Sequence, residues 1–210
     1  ACKRCSFHKR ASMITIIDYG MGNLRSVQKA FERFTPEVRI SASSKDIRSS
    51  EKIVLPGVGA FKKAMEELKK RGLVDAIIKS IESDKPFLGI CLGLQLLFSE
   101  SEEGKGVRGL DVFKGKVKRF EPAKGLKIPH MGWNAIKSKN KDVDCNIFNG
   151  VPDPTYMYFV HSYYVEPEDK NIILCETDYG RTFTSGICKG NLCAFQFHPE
   201  KSQSTGLKII

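Results

Sequence analysis

From Met13 to about residue 100 the chain alternates short apolar runs with amphipathic stretches of helical period. No other feature constrains the fold as much. "MITIIDYG" reads as a buried first strand ending at a glycine. "NLRSVQKAFERF" follows, with Leu24, Val27, Ala30, Phe31 and Phe34 on one helical face and Asn23 as N-cap. "EVRIS" and "EKIVLPG" read as the second and third strands. Two helices come next, one marked by Phe61, Ala64, Met65 and Leu68. The other is marked by Leu73, Val74, Ile77, Ile78 and Ile81 after Gly72. "KPFLGIC" is a fourth strand feeding a helix "LGLQLLFSE". This order predicts parallel strands, right-handed crossovers and helices on both faces. After residue 104 the segments are short, strand-like and separated by Gly, Pro and Asn. The expected class is α/β: a mostly parallel central sheet flanked by helices, with antiparallel strands added in the C-terminal half.

The 210 residues suit one such domain, expected over 13–210. Hydrophobic residues at 41% and charged residues at 28% fit a folded globular chain and exclude a disordered one. No apolar run approaches the roughly 20 residues of a membrane-spanning helix, and no secretory h-region is present. The net charge is +10, and four of those charges (Lys3, Arg4, Lys9, Arg10) lie in the first twelve residues. No RNP-like aromatic strand, zinc finger or recognition-helix pattern accompanies them, so nucleic acid is not an expected partner. Residues 1–12, "ACKRCSFHKRAS", are basic, acid-free and without apolar period. They read as a tag or targeting remnant. Cys2, Cys5 and His8 there lack a fourth ligand for zinc, and no metal or cofactor is expected. Seven cysteines without a tight framework argue for free thiols in a reducing compartment. The expected location is cytoplasmic, or an organelle if the basic segment is a transit remnant.

"YGMGN" lacks the third glycine of a dinucleotide fingerprint, because Arg25 stands in its place, and no P-loop occurs. Gly89-Ile90-Cys91-Leu92-Gly93 is more specific. It has the G-x-nucleophile-x-G form of a nucleophile elbow, with cysteine for serine. A strained strand-to-helix turn needs small neighbours, and a helix starting after Cys91 aims its positive end at the sulfur. A buried inert thiol is the alternative. A nucleophile also needs a base, and the base an orienting group. His198 ends the alternating strand "AFQFHPEKS", with Glu200 two residues on and Pro199 stiffening the spacing. The Leu92 N–H and the "LPGVGAF" loop, with Gly57 and Gly59, offer donors for an oxyanion.

With these pieces assembled, the chain resembles class I, triad-type glutamine amidotransferases from about Met13 to its end. "GxCLGxQ" and "HPE" identify the class. "DYGMGN", "PHMGWN" and "YFVHSY" resemble the branch that supplies the glutaminase of imidazole glycerol phosphate synthase. The resemblance implies that Cys91 attacks the glutamine side-chain amide, His198 shuttles protons and Glu200 orients His198. It implies Gln95 and Gly57 at the substrate and the Val58, Gly59 and Leu92 amides at the oxyanion. Ammonia would pass to a (β/α)8-barrel cyclase subunit, separate or fused, in histidine biosynthesis. Asn23, Met131, Trp133, Tyr158, His161 and Lys201 would face that partner. Trp133 and Tyr158 equally suit core aromatics, and His161 a polar group that is not a base. The tail before Met13 departs from the pattern. The end at "STGLKII" is short of it, which suits a shortened chain, a disordered end or an excised domain of a fused enzyme. Three other readings stay open: a glutaminase of another synthase, a stand-alone γ-glutamyl hydrolase, and a non-catalytic interaction subunit.

Overall fold

A computed structural model describes residues 12–104, 106–122, 125–139 and 145–210; the basic segment 1–11 lies outside the described residues. Strand β1 (Ile14–Ile17) leads into α1 (Leu24–Phe31), whose N-cap Asn23 accepts from Ser26 N–H at 3.3 Å. Then come β2 (Val38–Ser41), α2 (Ser44–Ser49), β3 (Lys52–Gly57), α3 (Phe61–Lys70), α4 (Val74–Glu82), β4 (Phe87–Cys91) and α5 (Leu92–Leu96). The later strands are β5 (Phe98–Ser101), β6 (Phe113–Arg119), β7 (His130–Ser138), β8 (Thr155–His161), β9 (Tyr163–Pro167), β10 (Ile173–Asp178), β11 (Thr182–Lys189) and β12 (Leu192–Phe195). A short helix α6 (Gln203–Leu207) follows them.

Strands run in the order β2-β1-β3-β4-β12-β11-β10-β7-β8, with β9 on β11, β6 on β9 and β5 on β6. The pairs β2/β1, β1/β3, β3/β4 and β4/β12 are parallel. The pairs beyond β12 are antiparallel except β5/β6. This is the expected class. The parallel sheet is buried on both sides, so its strands read as continuous apolar runs. Ile17, Leu55 and Ala194 pack under α3, α4 and α5, while Ile16, Val54 and Ile90 pack under α1. Among the described residues no helix is long and apolar enough to cross a membrane.

Three local expectations need correction. The helix foreseen from Leu92 to Glu100 stops at Leu96, and Phe98–Ser101 becomes a strand beside β6. Leu94, Leu96, Leu97 and Phe98 are all fully buried, so helical period carries no information there. Burying Phe98 against Phe113 contributes about 1.5–3 kcal/mol, more than the ~0.7 kcal/mol at stake in helix propensity. Phe34, foreseen on the apolar face of α1, lies past its end and is 60% exposed; Pro36 bars continuation. Helix α2 was not foreseen. Its only buried residue is Ile47, and its start is set by Ser43 Oγ accepting from Asp46 N–H.

Candidate active site

Cys91 ends β4 at the C-terminal edge of the parallel sheet, where open α/β sheets place their sites. Its backbone is left-handed, with φ 54° and ψ −105°. A non-glycine residue in such a conformation costs on the order of 1–3 kcal/mol, and the surroundings impose it. Helix α5 presses onto β3 so closely that a Cβ on Gly93 would sit 1.8 Å from the Leu55 carbonyl oxygen. Glycine is the only residue that fits, and its fit fixes where the chain turns after the sulfur.

The β3/β4 register sets Gly57 opposite Cys91. Val58 and Gly59, continuing past β3, therefore pass beside the nucleophile and the free N-terminus of α5. A Cβ on Gly57 would meet the Tyr19 hydroxyl at 2.0 Å; that hydroxyl donates to the Pro56 carbonyl at 2.9 Å and props the loop. Burial, then the nearby Cys91 sulfur, push the Tyr19 phenol well above its ordinary range, so it stays a neutral donor.

His198 lies just past β12, the parallel neighbour of β4. Its Nδ1 is 2.8 Å from Glu200 Oε1, and both side chains are almost wholly buried. Its Nε2 is buried with no hydrogen-bonding partner, as is Glu200 Oε2. Burial alone would depress the imidazole. The Cys91 sulfur and then Glu200 outweigh it and push His198 up to about 10. The ring is a buried cation facing a sulfur, with one nitrogen uncommitted.

Gln196, fully buried, donates from Nε2 to Cys91 Sγ at 3.6 Å. Its Oε1 accepts from Gln95 Nε2 at 3.1 Å, and the same Gln95 nitrogen donates to the Tyr163 carbonyl at 3.1 Å. Sequence reading missed Gln196. The signal was the period-2 alternation of "AFQFH", which turns Gln196 to the same side as His198.

A cavity of about 540 Å³ opens over this edge, lined among others by Val58, Gly59, Cys91, Leu92, Gln95 and Glu103. That volume suits an amino-acid-sized ligand. Glu103, also missed, is the one carboxylate in that wall; its Oε2 accepts from Phe61 N–H at 2.7 Å. Burial raises its carboxyl above the ordinary value, and the Phe61 bond partly offsets this.

His161 lines the cavity and is buried, not exposed at a mouth. Its Nδ1 is 2.7 Å from the Tyr163 carbonyl, which can only accept, so Nδ1 carries the proton. Its Nε2 then accepts from His130 Nδ1 at 3.0 Å, and His130 Nε2 accepts from Asn134 at 3.2 Å. Burial pushes His130 down to about 4 and His161 to about 3, so both are neutral. With both nitrogens bonded, His161 has no free position for base chemistry.

The remaining residues foreseen at the partner lie outside the cavity wall. Met131, Trp133 and Tyr156 are 62%, 46% and 63% exposed on the β7/β8 ribbon, so Trp133 is not a core residue. The register pairs Met131 with Val160, Trp133 with Tyr158 and Ala135 with Tyr156 on one face. Trp133 meets Tyr158 edge-on at 6.1 Å, and Lys201 Nζ stands 6.0 Å from the Tyr158 ring centre. Asn23 stays at the exposed start of α1. Tyr156 was not foreseen.

A thiol on a strained turn beside a buried histidine–carboxylate pair, at the C-terminal edge of a parallel sheet, is the arrangement of a cysteine-dependent acyl-transfer enzyme. The sequence model of the family described as Glutamine amidotransferase class-I matches residues 15–209, and the chain belongs to that family. It is 50% identical over 203 residues to imidazole glycerol phosphate synthase subunit HisH of Syntrophotalea carbinolica, covering 94% of this chain and 97% of that one. The subunit of the same name from Methanocaldococcus jannaschii is 50% identical over 198 residues, covering 94% and 96%. Among solved structures, a glutamine amidotransferase crystal structure superposes with TM-score 0.72 at 17% identity, covering 93% and 95%. The glutaminase domain of Trypanosoma brucei CTPS superposes with TM-score 0.69 at 17% identity, covering 95% and 91%. At such identity these two share the fold.

Proposed function

We propose that the protein hydrolyses glutamine to glutamate and ammonia and delivers the ammonia to the cyclase of imidazole glycerol phosphate synthase in histidine biosynthesis. The observation that carries the chemistry is the buried cationic ring of His198 held beside the Cys91 sulfur, with no other partner on its Nε2. With the proton already on His198, the Cys91 sulfur forms a bond to the carboxamide carbon. The oxygen takes the negative charge beside the Leu92 amide and the Val58–Gly59 loop. The C–N bond breaks as His198 returns its proton to nitrogen, so ammonia leaves and a thioester remains. Water, deprotonated by His198, adds to the thioester carbon, and the C–S bond breaks to give glutamate. Glu200 keeps the ring oriented through Nδ1. Gln95 and Glu103 line the cavity; in this reading Gln95 contacts the substrate amide and Glu103 offers its carboxylate to the substrate ammonium.

The delivery half rests on the likeness to the two HisH subunits and on the apolar ribbon of Met131, Trp133, Tyr156 and Tyr158. Contiguous exposed apolar surface of this kind marks a docking site. Val160 on that same face also lines the cavity, so a barrel seated there would lie against the cavity wall. Five reduced cysteines among the described residues suit a cytoplasmic setting.

The test is a glutaminase assay with and without a cyclase subunit and its nucleotide ligand. A rate that rises when both are present is expected. A high rate indifferent to the partner would point to a stand-alone hydrolase.

A further inference from the structure

Outside the cavity wall, three sulfurs converge. Cys188 on β11 and Cys193 on β12 stand directly opposite each other in the hairpin, with Sγ atoms 3.4 Å apart. Cys145, before the turn that leads to β8, brings its Sγ to 3.5 Å from that of Cys193. All three sulfurs lie within 4.8 Å of one another, and none is in a disulfide. Cys175 shows what an ordinary core thiol does here: it is buried and takes a hydrogen bond from the Ser185 hydroxyl at 3.5 Å.

We propose that Cys145, Cys188 and Cys193 form a three-thiolate site for a thiophilic d10 metal ion of the zinc class, with an exogenous fourth ligand. A zinc–sulfur bond is about 2.3 Å, so a tetrahedral site spans sulfurs about 3.8 Å apart. The two bonded edges are within a few tenths of an ångström of that value, and the third side is no longer than 4.8 Å. Thiolates in this number select soft ions over magnesium or calcium. The surroundings are apolar, with Ile147, Phe148 and Phe195 packed in the same cluster. A cavity of about 170 Å³ reaches Cys193 between Ile14, Phe31, Ile147 and Ile209, which supplies a route in. On binding, each S–H proton is exchanged for a metal–sulfur bond and leaves to solvent. The ion would clip the segment before β8 to the β11/β12 hairpin, which runs on to Gln196 and His198.

The spacing hides the site. Cys188 and Cys193 are five residues apart across a turn, and Cys145 is 48 residues from Cys193, so no metal-binding pattern is visible along the chain.

The test uses the full chain carrying Cys2→Ser, Cys5→Ser and Cys91→Ser, which removes the thiols outside the cluster other than Cys175. After reduction and chelation it is titrated with Cd²⁺. The readouts are the sulfur-to-cadmium charge-transfer band, native mass spectrometry and the melting temperature. The expected result is one ion per chain and a higher melting temperature, with Cys145→Ser and Cys193→Ser each weakening binding about 10–100-fold. Circular dichroism checks that each variant folds. If Cys193→Ser does not fold, the half-buried Cys145 outside the sheet still decides the matter. Absence of a one-to-one complex, or an affinity unchanged by Cys145→Ser, would overturn the proposal. So would a mass two hydrogens lighter from a disulfide within the cluster under reducing conditions.

Discussion

The backbone N–H of His198 donates to the carbonyl of Tyr158 at 2.9 Å. Tyr158 N–H in turn donates to Ser202 Oγ at 3.0 Å, and that hydroxyl donates to the His198 carbonyl at 2.7 Å. The base and the exposed aromatic ribbon are therefore held by one short ring of hydrogen bonds. Force applied to the Tyr158 side of the ribbon reaches the backbone that aims the imidazole.

Trp133→Ala and Tyr158→Ala are expected to weaken cyclase binding by about 2 kcal/mol each, roughly 30-fold in Kd, as central interface aromatics do. The Tyr158 backbone bond survives both changes, so the partner-free glutaminase rate should stay within a few-fold. Calorimetric titration with the cyclase measures the first quantity. Unchanged affinity in both variants would remove this face from the interface.

Cys91→Ala is expected to lower glutamine turnover by about three orders of magnitude or more while leaving cyclase affinity intact. Steady-state ammonia release with saturating partner is the measurement. Undiminished turnover would sink the nucleophile assignment.

The charge on His198 depends on its neighbours, and its titration should show this. Its folded value of about 10 lies above the ordinary 6.5. The pairing therefore stabilises the fold fully below about 6.5, and that stabilisation is lost as pH rises through about 10. Activity should fall on the alkaline side near the same pH, as the proton for departing ammonia disappears. Glu200→Gln removes one of the supporting charges and should move that limb to lower pH. NMR of the His198 ring across pH 6–11 tests both, and an unshifted curve in the variant contradicts the account.

Gln196→Leu removes the donor to Cys91 Sγ and the acceptor for Gln95 together. A loss of about 1–3 kcal/mol in stability is expected, because Gln95 keeps only Tyr163 as partner. A fall in kcat of roughly 10–100-fold is also expected, since the sulfur loses a charge-stabilising hydrogen bond. Denaturant melts and the split between kcat and KM separate the two effects. A variant with normal kcat and lowered stability would leave Gln196 a purely structural residue.

Gly57→Ala forces a methyl group into the Tyr19 hydroxyl. Tyr19→Phe removes the severest contact, leaving the Leu92 Cβ at 3.0 Å, at the cost of the bond to the Pro56 carbonyl. The double variant is expected to be more stable than the sum of the single changes by about 1 kcal/mol, a coupling that a melting-temperature cycle reads directly. Strict additivity would mean the loop moves away instead.

The strands β1 to β4 with α1, α3 and α4 between them, the elbow around Cys91 and the His198-Pro199-Glu200 unit were legible in the sequence because each is local. Gly89, Cys91 and Gly93 span five residues, and the period of Phe61, Ala64, Met65 and Leu68 needs no other part of the molecule. The tertiary structure alone decided the rest, since it depends on which segments become neighbours. Burial turned Phe98 from a helix into a strand. Residues 101 and 105 apart in sequence joined Gln95 and Cys91 to Gln196. Burial against Tyr163 and His130 moved His161 from an expected partner contact into a neutral chain in the cavity wall. Local chemistry is written in short spacings. Protonation states and sulfur clusters depend on the dielectric and the neighbours that only the packed sheet supplies.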